Sequence, residues 1–194
     1  AAELFAAKGF GEVSTQEVSE RADVASGTLF RYASSKAELL LMVFNEEFRR
    51  ALELGRERAA EEPDAAGAVV QMVLPVVEAV AADPENSVVY QRELLFGAAG
   101  EHYRNQGLLL VAELEERIAS RLMTEAEEHG LVPDSDRARL AGSTVFAVTL
   151  MAVSRSSTGA HAGRDVVADL STQVAQAVAG YLAALSPHEF SSKE

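Results

Sequence analysis

The chain has 194 residues, 48% of them hydrophobic but only 6% aromatic, and a net charge of -13. It has no cysteine, which excludes disulfides, thiolate metal sites and cysteine nucleophiles together. Ala, Val, Leu, Glu and Arg dominate while Gly and Pro are scarce, so the expected fold class is all-α.

Ala1 to Lys8 carries Leu4 and Phe5 as large apolar positions, and Gly9 is placed to end this helix in a left-handed conformation. Ser14 followed three residues later by Glu17 has the pattern of a capping box, which predicts a second helix over about 14–22 with Val18 and Ala22 inward. Asp23 falls at a sharp turn, where a short polar side chain tolerates unusual backbone angles, and Val24 is expected to plug it. A short helix follows from about Ser26 to Ala33. Ser35-Lys36-Ala37-Glu38 is another capping box and opens a long amphipathic helix, with Leu39, Leu40, Val43, Phe44, Phe48 and Leu52, that reaches about Ala60.

Glu61-Glu62-Pro63-Asp64 is the first boundary between parts. Asp64 caps a predicted helix to about Ala82, and Asp83-Pro84-Glu85 combines an N-cap, a first-turn proline and an early acid that start the next. Pro75 removes an amide inside its helix, so a kink is expected there. Further long helices are predicted from Gly107 to Glu128, from Asp136 to about Ser156 and from Arg164 to Leu185, with Ser186 onward as a tail. The expected domains are a first unit over 1–45, linked by the long helix to about 60, a larger helical part over 46–187, and a tail over 188–194.

The richest apolar stretch, Ala68 to Ala82, is interrupted by Gln71, Pro75 and Glu78, so no bilayer span and no membrane partner are expected. A charged start followed by an apolar core is missing as well, and the expected location is cytoplasmic. The chain opens at Ala1 inside a helical pattern without an initiator Met, from which we expect further residues ahead of it.

A charge of -13 argues against a nucleic-acid partner unless it is unevenly spread. Residues 1–58 hold eight basic and ten acidic residues, a net of -2, and the remainder carries -11. From Val24 to Ala37 the only charges are Arg31 and Lys36, so the local field favours a phosphate. Placing successive residues about 100° apart sets Thr28, Arg31 and Tyr32 on one side of the short third helix, with Gly27 at its edge, Leu29 and Ala33 opposite and Phe30 between. That division suits a helix held by Leu29 while its other face enters the major groove. Arg31 can pair with the acceptor edge of guanine and the Thr28 methyl can meet a thymine methyl. Tyr32, Lys36 and the helix starts at Thr15 and Lys36 can hold phosphates through hydroxyl, ammonium and backbone N–H groups. On these charges alone an ordinary solvated face fits equally well.

The order helix, capped helix, turn, short helix and capped long helix is that of a trihelical helix-turn-helix unit. Leu4-Phe5 through Lys8-Gly9-Phe10, Ser14 to Ala22, Gly27-Thr-Leu-Phe-Arg-Tyr32 and Ser35-Lys36-Ala-Glu-Leu39-Leu40 together resemble the DNA-binding domain of the TetR family of transcriptional repressors. The resemblance covers residues 1 to about 45 closely and the rest only in its all-helical organisation. It implies base or phosphate contacts near Gly27, Thr28, Phe30, Arg31 and Tyr32 and a phosphate contact at Lys36; with Thr15 and Ser26 these form the expected DNA-binding set. Asp23, Ser26 and Ala33 depart from the family pattern, where a glycine, a basic residue and a phenylalanine are common.

The resemblance also implies that the C-terminal part binds an effector and dimerises through its last two long helices. Val167, Leu170, Val174, Ala177, Val178, Tyr181 and Leu185 recur at spacings of three and four, and Ala141, Gly142, Ala147 and Ala152 allow close approach in the preceding helix; the same stripe can instead be buried inside one subunit. Met72, Tyr90, Gln91, Phe96, Tyr103, Phe146 and Met151 are candidate ligand-binding residues, with Leu74, Val77, Leu94, Arg92 and Thr149 beside them; plain core is the competing reading. His102, His129, His161 and His188 lie far apart, and there is no phosphate-cradling glycine loop, so neither a metal site, a cofactor nor an enzyme is expected. The expected function is a homodimeric repressor that binds a near-palindromic double-stranded DNA operator and is released by a small-molecule effector. A helical small-molecule-binding or protein-interaction module with weak or no DNA binding is the alternative, favoured by Ser26, Ala33 and the net charge.

Overall fold

The computed structural model describes residues 1–187, for Ser156 the backbone only, so the predicted tail over 188–194 and His188 lie outside the described residues. The chain is helical: α1 (Ala2–Glu12), α2 (Thr15–Arg21), α3 (Ser26–Tyr32), α4 (Lys36–Ala59), α5 (Ala65–Ala82), α6 (Pro84–Phe96), α7 (His102–Glu128), α8 (Ser135–Val153), α9 (Arg155–Thr158) and α10 (Val166–Ala183).

Most starts follow from local capping. The Ser14 hydroxyl accepts from the Glu17 amide and the Glu17 carboxylate accepts from the Ser14 amide, a complete capping box. Asp64, Asp83, Asp134 and Asp165 cap α5, α6, α8 and α10 through their carboxylates. Asp23 has φ 53°, the strained turn expected between α2 and α3. Val24 does not plug that turn, being 38% exposed; the turn is closed by its amide donating to the Ser19 carbonyl (3.0 Å) and by the paired hydroxyls of Ser19 and Ser26 (3.2 Å).

Gly9 interrupts α1 with φ 76° and ψ 157°, but the helical run resumes and continues to Glu12 rather than ending there. The break removes the helical partners of nearby backbone groups, and Asn86 at the start of α6 supplies replacements. Its Nδ2 donates to the Phe5 carbonyl (2.9 Å), and its Oδ1 accepts from the Phe10 amide (2.8 Å).

α4 runs for 24 residues, about 36 Å, from the first three helices into the larger bundle. Phe5, Val13, Val18, Leu29 and Ala33 are buried with Leu39 and Leu40 of α4 in one part of the core; Val69, Val73, Leu114, Ile118, Leu122, Val145, Leu170 and Val174 fill the other. α4 packs on α5 and α7, α7 on α8, and α8 on α10. Among the described residues the isolated bridge Leu131–Pro187 pairs the end of the chain with the α7–α8 connection, so Ser186 and Pro187 are not a free tail.

Four expectations shift. α7 begins at His102, five residues before the predicted Gly107, because its cap comes from far away in sequence: the amides of Tyr103 (3.2 and 3.1 Å) and Arg104 (3.2 Å) donate to the buried Glu38 carboxylate of α4. The second capping box is therefore half formed, with the Ser35 hydroxyl accepting from the Glu38 amide while the Glu38 side chain serves α7. α5 continues through the buried Pro75 to Ala82, and its 18 residues with a mean hydropathy of 1.8 are long and apolar enough to cross a bilayer, despite the interruptions noted in sequence; here α5 is packed against α4, α7, α8 and α10. Finally, Leu170, Val174, Val178 and Tyr181 are buried within the subunit, and so is Gly142, where a Cβ would lie 2.6 Å from the Glu115 carbonyl of α7. That stripe serves the chain's own core.

Glu38→Ala should strand two part-buried amides at the start of α7 and cost about 1–3 kcal/mol, with Glu38→Gln, which keeps one acceptor oxygen, losing less. Urea denaturation of both variants checks the ranking; an unchanged midpoint for Glu38→Ala would contradict this capping role.

Candidate functional site

Two surfaces are set by this framework. The first is the outer side of α3. Leu29 and Ala33 point inward and are buried, as the helical spacing predicts, while Arg31 and Tyr32 are exposed, Tyr32 at 68%, and Phe30 is half-exposed. Thr28 is partly buried, Ser26 and Gly27 lie exposed in the first turn, and no atom stands within 4 Å of the position a Gly27 Cβ would take. Ser26 shares its hydroxyl with Ser19, and Thr15 sits half-buried in the first turn of α2. Lys36 is committed to the protein itself: its ammonium donates to the Gly11 carbonyl (3.2 Å) and lies 4.3 Å from the centroid of the Phe10 ring. Nearby cations are also paired, Lys8 with Glu17 and Arg21 with Glu3, which leaves Arg31 as the charge carried by the outer face of α3.

The second is an apolar cavity of about 80 Å³ between α4, α5, α6, α7 and α8. Of the seven candidates read from sequence, Tyr90, Gln91 and Phe146 line it. Phe96 and Met151 do not: they are 81% and 64% exposed on the outside of the bundle. Met72 packs its backbone against Gly55 of α4, and Tyr103 belongs to the first turn of α7. Of the neighbours named from sequence, Leu94 and Thr149 are wall residues, joined by Phe44, Glu47, Phe48 and Ala51 of α4, which sequence reasoning missed. Spacing marks Phe44 and Phe48 as core, and nothing local distinguishes a core phenylalanine from one facing a void.

One wall of the cavity is tied to the first three helices. The Tyr90 hydroxyl, pushed up in pKa by burial, donates to Asn45 Oδ1 (2.9 Å), and Asn45 Nδ2 donates to the carbonyl of Tyr103 (2.7 Å), the residue whose amide Glu38 holds. A Cβ on Gly107 would lie 2.6 Å from Leu94 Cδ1 and 2.7 Å from Asn45 Oδ1, so the crossing of α4, α6 and α7 closes only over glycine. Asn86, four residues before Tyr90 on α6, holds the broken α1. Sequence reasoning missed this joint; its trace was a polar Asn45 in the inward register of Leu41 and Phe48.

Residues 1–43 match the family model of bacterial regulatory proteins, tetR family. The match covers the first three helices and the start of α4. The chain is 32% identical over 120 residues to the HTH-type transcriptional repressor KstR of Rhodococcus jostii, a match that takes in 61% of this chain and about half, 54%, of that repressor. Among solved structures it is similar to Thermus thermophilus FadR, a TetR-family transcriptional repressor in complex with lauroyl-CoA (TM-score 0.70, 20% identity, 100% of this chain and 95% of that one). It is also similar to the transcriptional regulator FadR of Bacillus subtilis in complex with stearoyl-CoA (TM-score 0.67, 22% identity, 93% and 95%). At those identities the likeness is one of fold, and it runs over nearly the whole helical chain.

Glu47 lines the cavity at its α4 side, and burial, then repulsion from Asp83, push its carboxyl above the ordinary carboxylate range against the weaker pull of Arg50. A folded-state pKa raised above the unfolded one means that Glu47 contributes stability below the unfolded pKa and that this is lost as pH rises through the folded one. Glu47→Gln should therefore raise the apparent melting temperature near neutral pH and give no gain below about pH 4. A gain of equal size at both pH values would contradict the assignment.

Proposed function

We propose that the chain is a TetR-like transcriptional repressor that binds a near-palindromic operator as a homodimer in the cytoplasm and is released by an apolar small-molecule effector held in the inner cavity. The observation that carries this reading is that the cavity wall and the anchors of the DNA-reading unit are the same helices: α6 presents Tyr90, Gln91 and Leu94 to the cavity while Asn86 grips α1, and α4 presents Phe44 and Phe48 while Glu38 and Asn45 grip α7. An 80 Å³ cavity is smaller than the roughly 300–1,000 Å³ that ligand sites usually offer. An acyl chain, of the kind bound by the two FadR relatives, enters only if α4 and α6 move apart. Such a ligand favours the moved conformation by its differential affinity, and that conformation sets the two reading heads at a wrong spacing.

Homodimerisation is supported by an exposed stripe that shares only Ala147 with the one legible in sequence. Leu140, Thr144, Ala147 and Met151 of α8 and Ala168, Thr172, Ala175, Ala179 and Ala183 of α10 are exposed small or apolar residues on two helices that pack together, with Arg137 at the α8 end. Paired with a second copy they would form a four-helix interface. Two copies of α3 would then enter successive major grooves about 34–36 Å apart.

On that surface Arg31 and Thr28 read bases, and Tyr32, with the α2 start at Thr15, holds phosphate; Ser26 and Gly27 let the backbone approach, and Phe30 packs at the edge. Lys36 reaches a phosphate while it pins the Gly11 segment that precedes α2. Arg31→Ala should cost about 1–3 kcal/mol on the operator and relax specificity at one base of each half-site. Lys36→Ala should weaken operator and random DNA alike and lower the salt slope by about one. Binding titrations across salt concentrations, on DNA from upstream of its own gene and on random duplex, check both; equal losses on the two DNAs for both variants would sink these roles. Absence of binding even at low salt would favour the module that hardly binds DNA.

A further inference from the structure

α3 is held to the protein by little apolar surface. Of its seven residues Leu29 is the buried one, with Ala33 just behind it, and every residue of the connection from Ala22 to Ala25 is exposed. No side chain caps the helix at Ala25. Apolar contact is nondirectional, so Leu29 alone would let α3 turn about its own axis. What fixes its direction is polar and centres on Ser19 of α2, which is buried at 2% exposure.

Ser19 holds the turn through its backbone and its side chain. Its carbonyl accepts from the Val24 amide (3.0 Å), and its hydroxyl lies 3.2 Å from that of Ser26, the first residue of α3. The same Ser19 hydroxyl donates to the Gln16 carbonyl (2.8 Å). A hydroxyl has one proton and two lone pairs. With the Ser19 proton committed to Gln16, the bond between the two hydroxyls takes its proton from Ser26. The chain from Ser26 through Ser19 to the Gln16 carbonyl then runs in one direction, and the exposed Ser26 turns only lone pairs outward, which a phosphate oxygen repels. Ser19 stands one helical turn after Thr15, so the relay joins the first two turns of α2 to the start of α3.

We infer that Ser19 and Ser26 are a positioning pair for the DNA-reading helix: their hydroxyl relay sets the roll of α3 on α2, and the Ser26 hydroxyl is thereby withheld from direct contact with DNA. This inference rests on the proposed DNA-reading role of α3 and adds two residues that act on specificity through Thr28 and Arg31, without touching a base or a phosphate themselves. Loss of either hydroxyl frees α3 to turn about Leu29. Arg31 and Thr28 then lose their alignment with the base edges, whereas the charge that attracts the phosphate backbone is unchanged.

The test is fluorescence anisotropy titration of the full chain with an operator duplex that the parent protein selects from a random pool, and with a random duplex. It is repeated on Ser19→Ala, Ser26→Ala, the double variant and Ser26→Thr, at a temperature where circular dichroism shows all of them folded. Each single alanine variant should lose about three- to tenfold on the operator and keep its affinity for the random duplex. The double variant should lose no more than Ser19→Ala alone, because either single change already breaks the relay, and Ser26→Thr, which keeps the hydroxyl, should bind as the parent does. A Ser26→Ala loss that is equal on both duplexes, or that persists in full in the Ser19→Ala background, would make Ser26 a direct phosphate contact and overturn the relay. Unchanged operator affinity in both single alanine variants would overturn it as well, while the reading role of α3 stands. If the parent protein selects no sequence from the pool, that reading role falls and the positioning pair with it.

Discussion

A single buried carboxylate fixes how the parts of this chain meet. Glu38 leaves its place in the first turn of α4 and caps α7, more than sixty residues later, through the amides of Tyr103 and Arg104. A buried anion of this kind is tolerable only when its lone pairs are filled, and here backbone donors of a helix N-terminus fill them. Asn45, one face further along α4, repeats the device by tying the Tyr103 carbonyl to the Tyr90 hydroxyl. Together the two residues weld α4, α6 and α7 at one crossing, which Gly107 lets close.

The weld gives the cavity a mechanical outlet. Apolar contact is nondirectional and can slide, whereas a buried hydrogen-bond network has a correct arrangement and costly incorrect ones. Widening the cavity moves Tyr90 and Phe44, and the hydrogen-bond partners of those same helix turns are the anchors of α1 and α7. Asn86 matters for the same reason: the broken α1 finds its missing partners only on α6, so α1 and the cavity wall shift together or both pay the desolvation of unpaired amides.

Much of the fold was legible because it is written locally. Ser14 with Glu17, Asp64, Asp83 and the positive φ of Asp23 are short-range signals, and they placed α2, α3, α5 and α6 correctly. The outer face of α3 followed from a simple angular count. Interactions closed across long sequence separations are not legible: the predicted α7 starts late because its cap is Glu38, and the α10 stripe reads as a partner surface although α8 and α5 bury most of it. Ligand candidates failed for a related reason, since periodicity separates inside from outside but does not tell a filled interior from a hollow one. Phe96 and Met151 show that even the inside rule gives way where exposed apolar faces remain at the bundle surface.

The coupling between cavity and reading unit can be followed at single amides by hydrogen exchange, with and without saturating lauroyl-CoA, alongside operator affinity. If the weld transmits ligand binding, the amides of Phe10, Tyr103 and Arg104 should exchange faster in the liganded protein, under conditions where operator affinity falls. Unchanged or slower exchange at all three, with the same fall in affinity, would mean that the signal travels by another route.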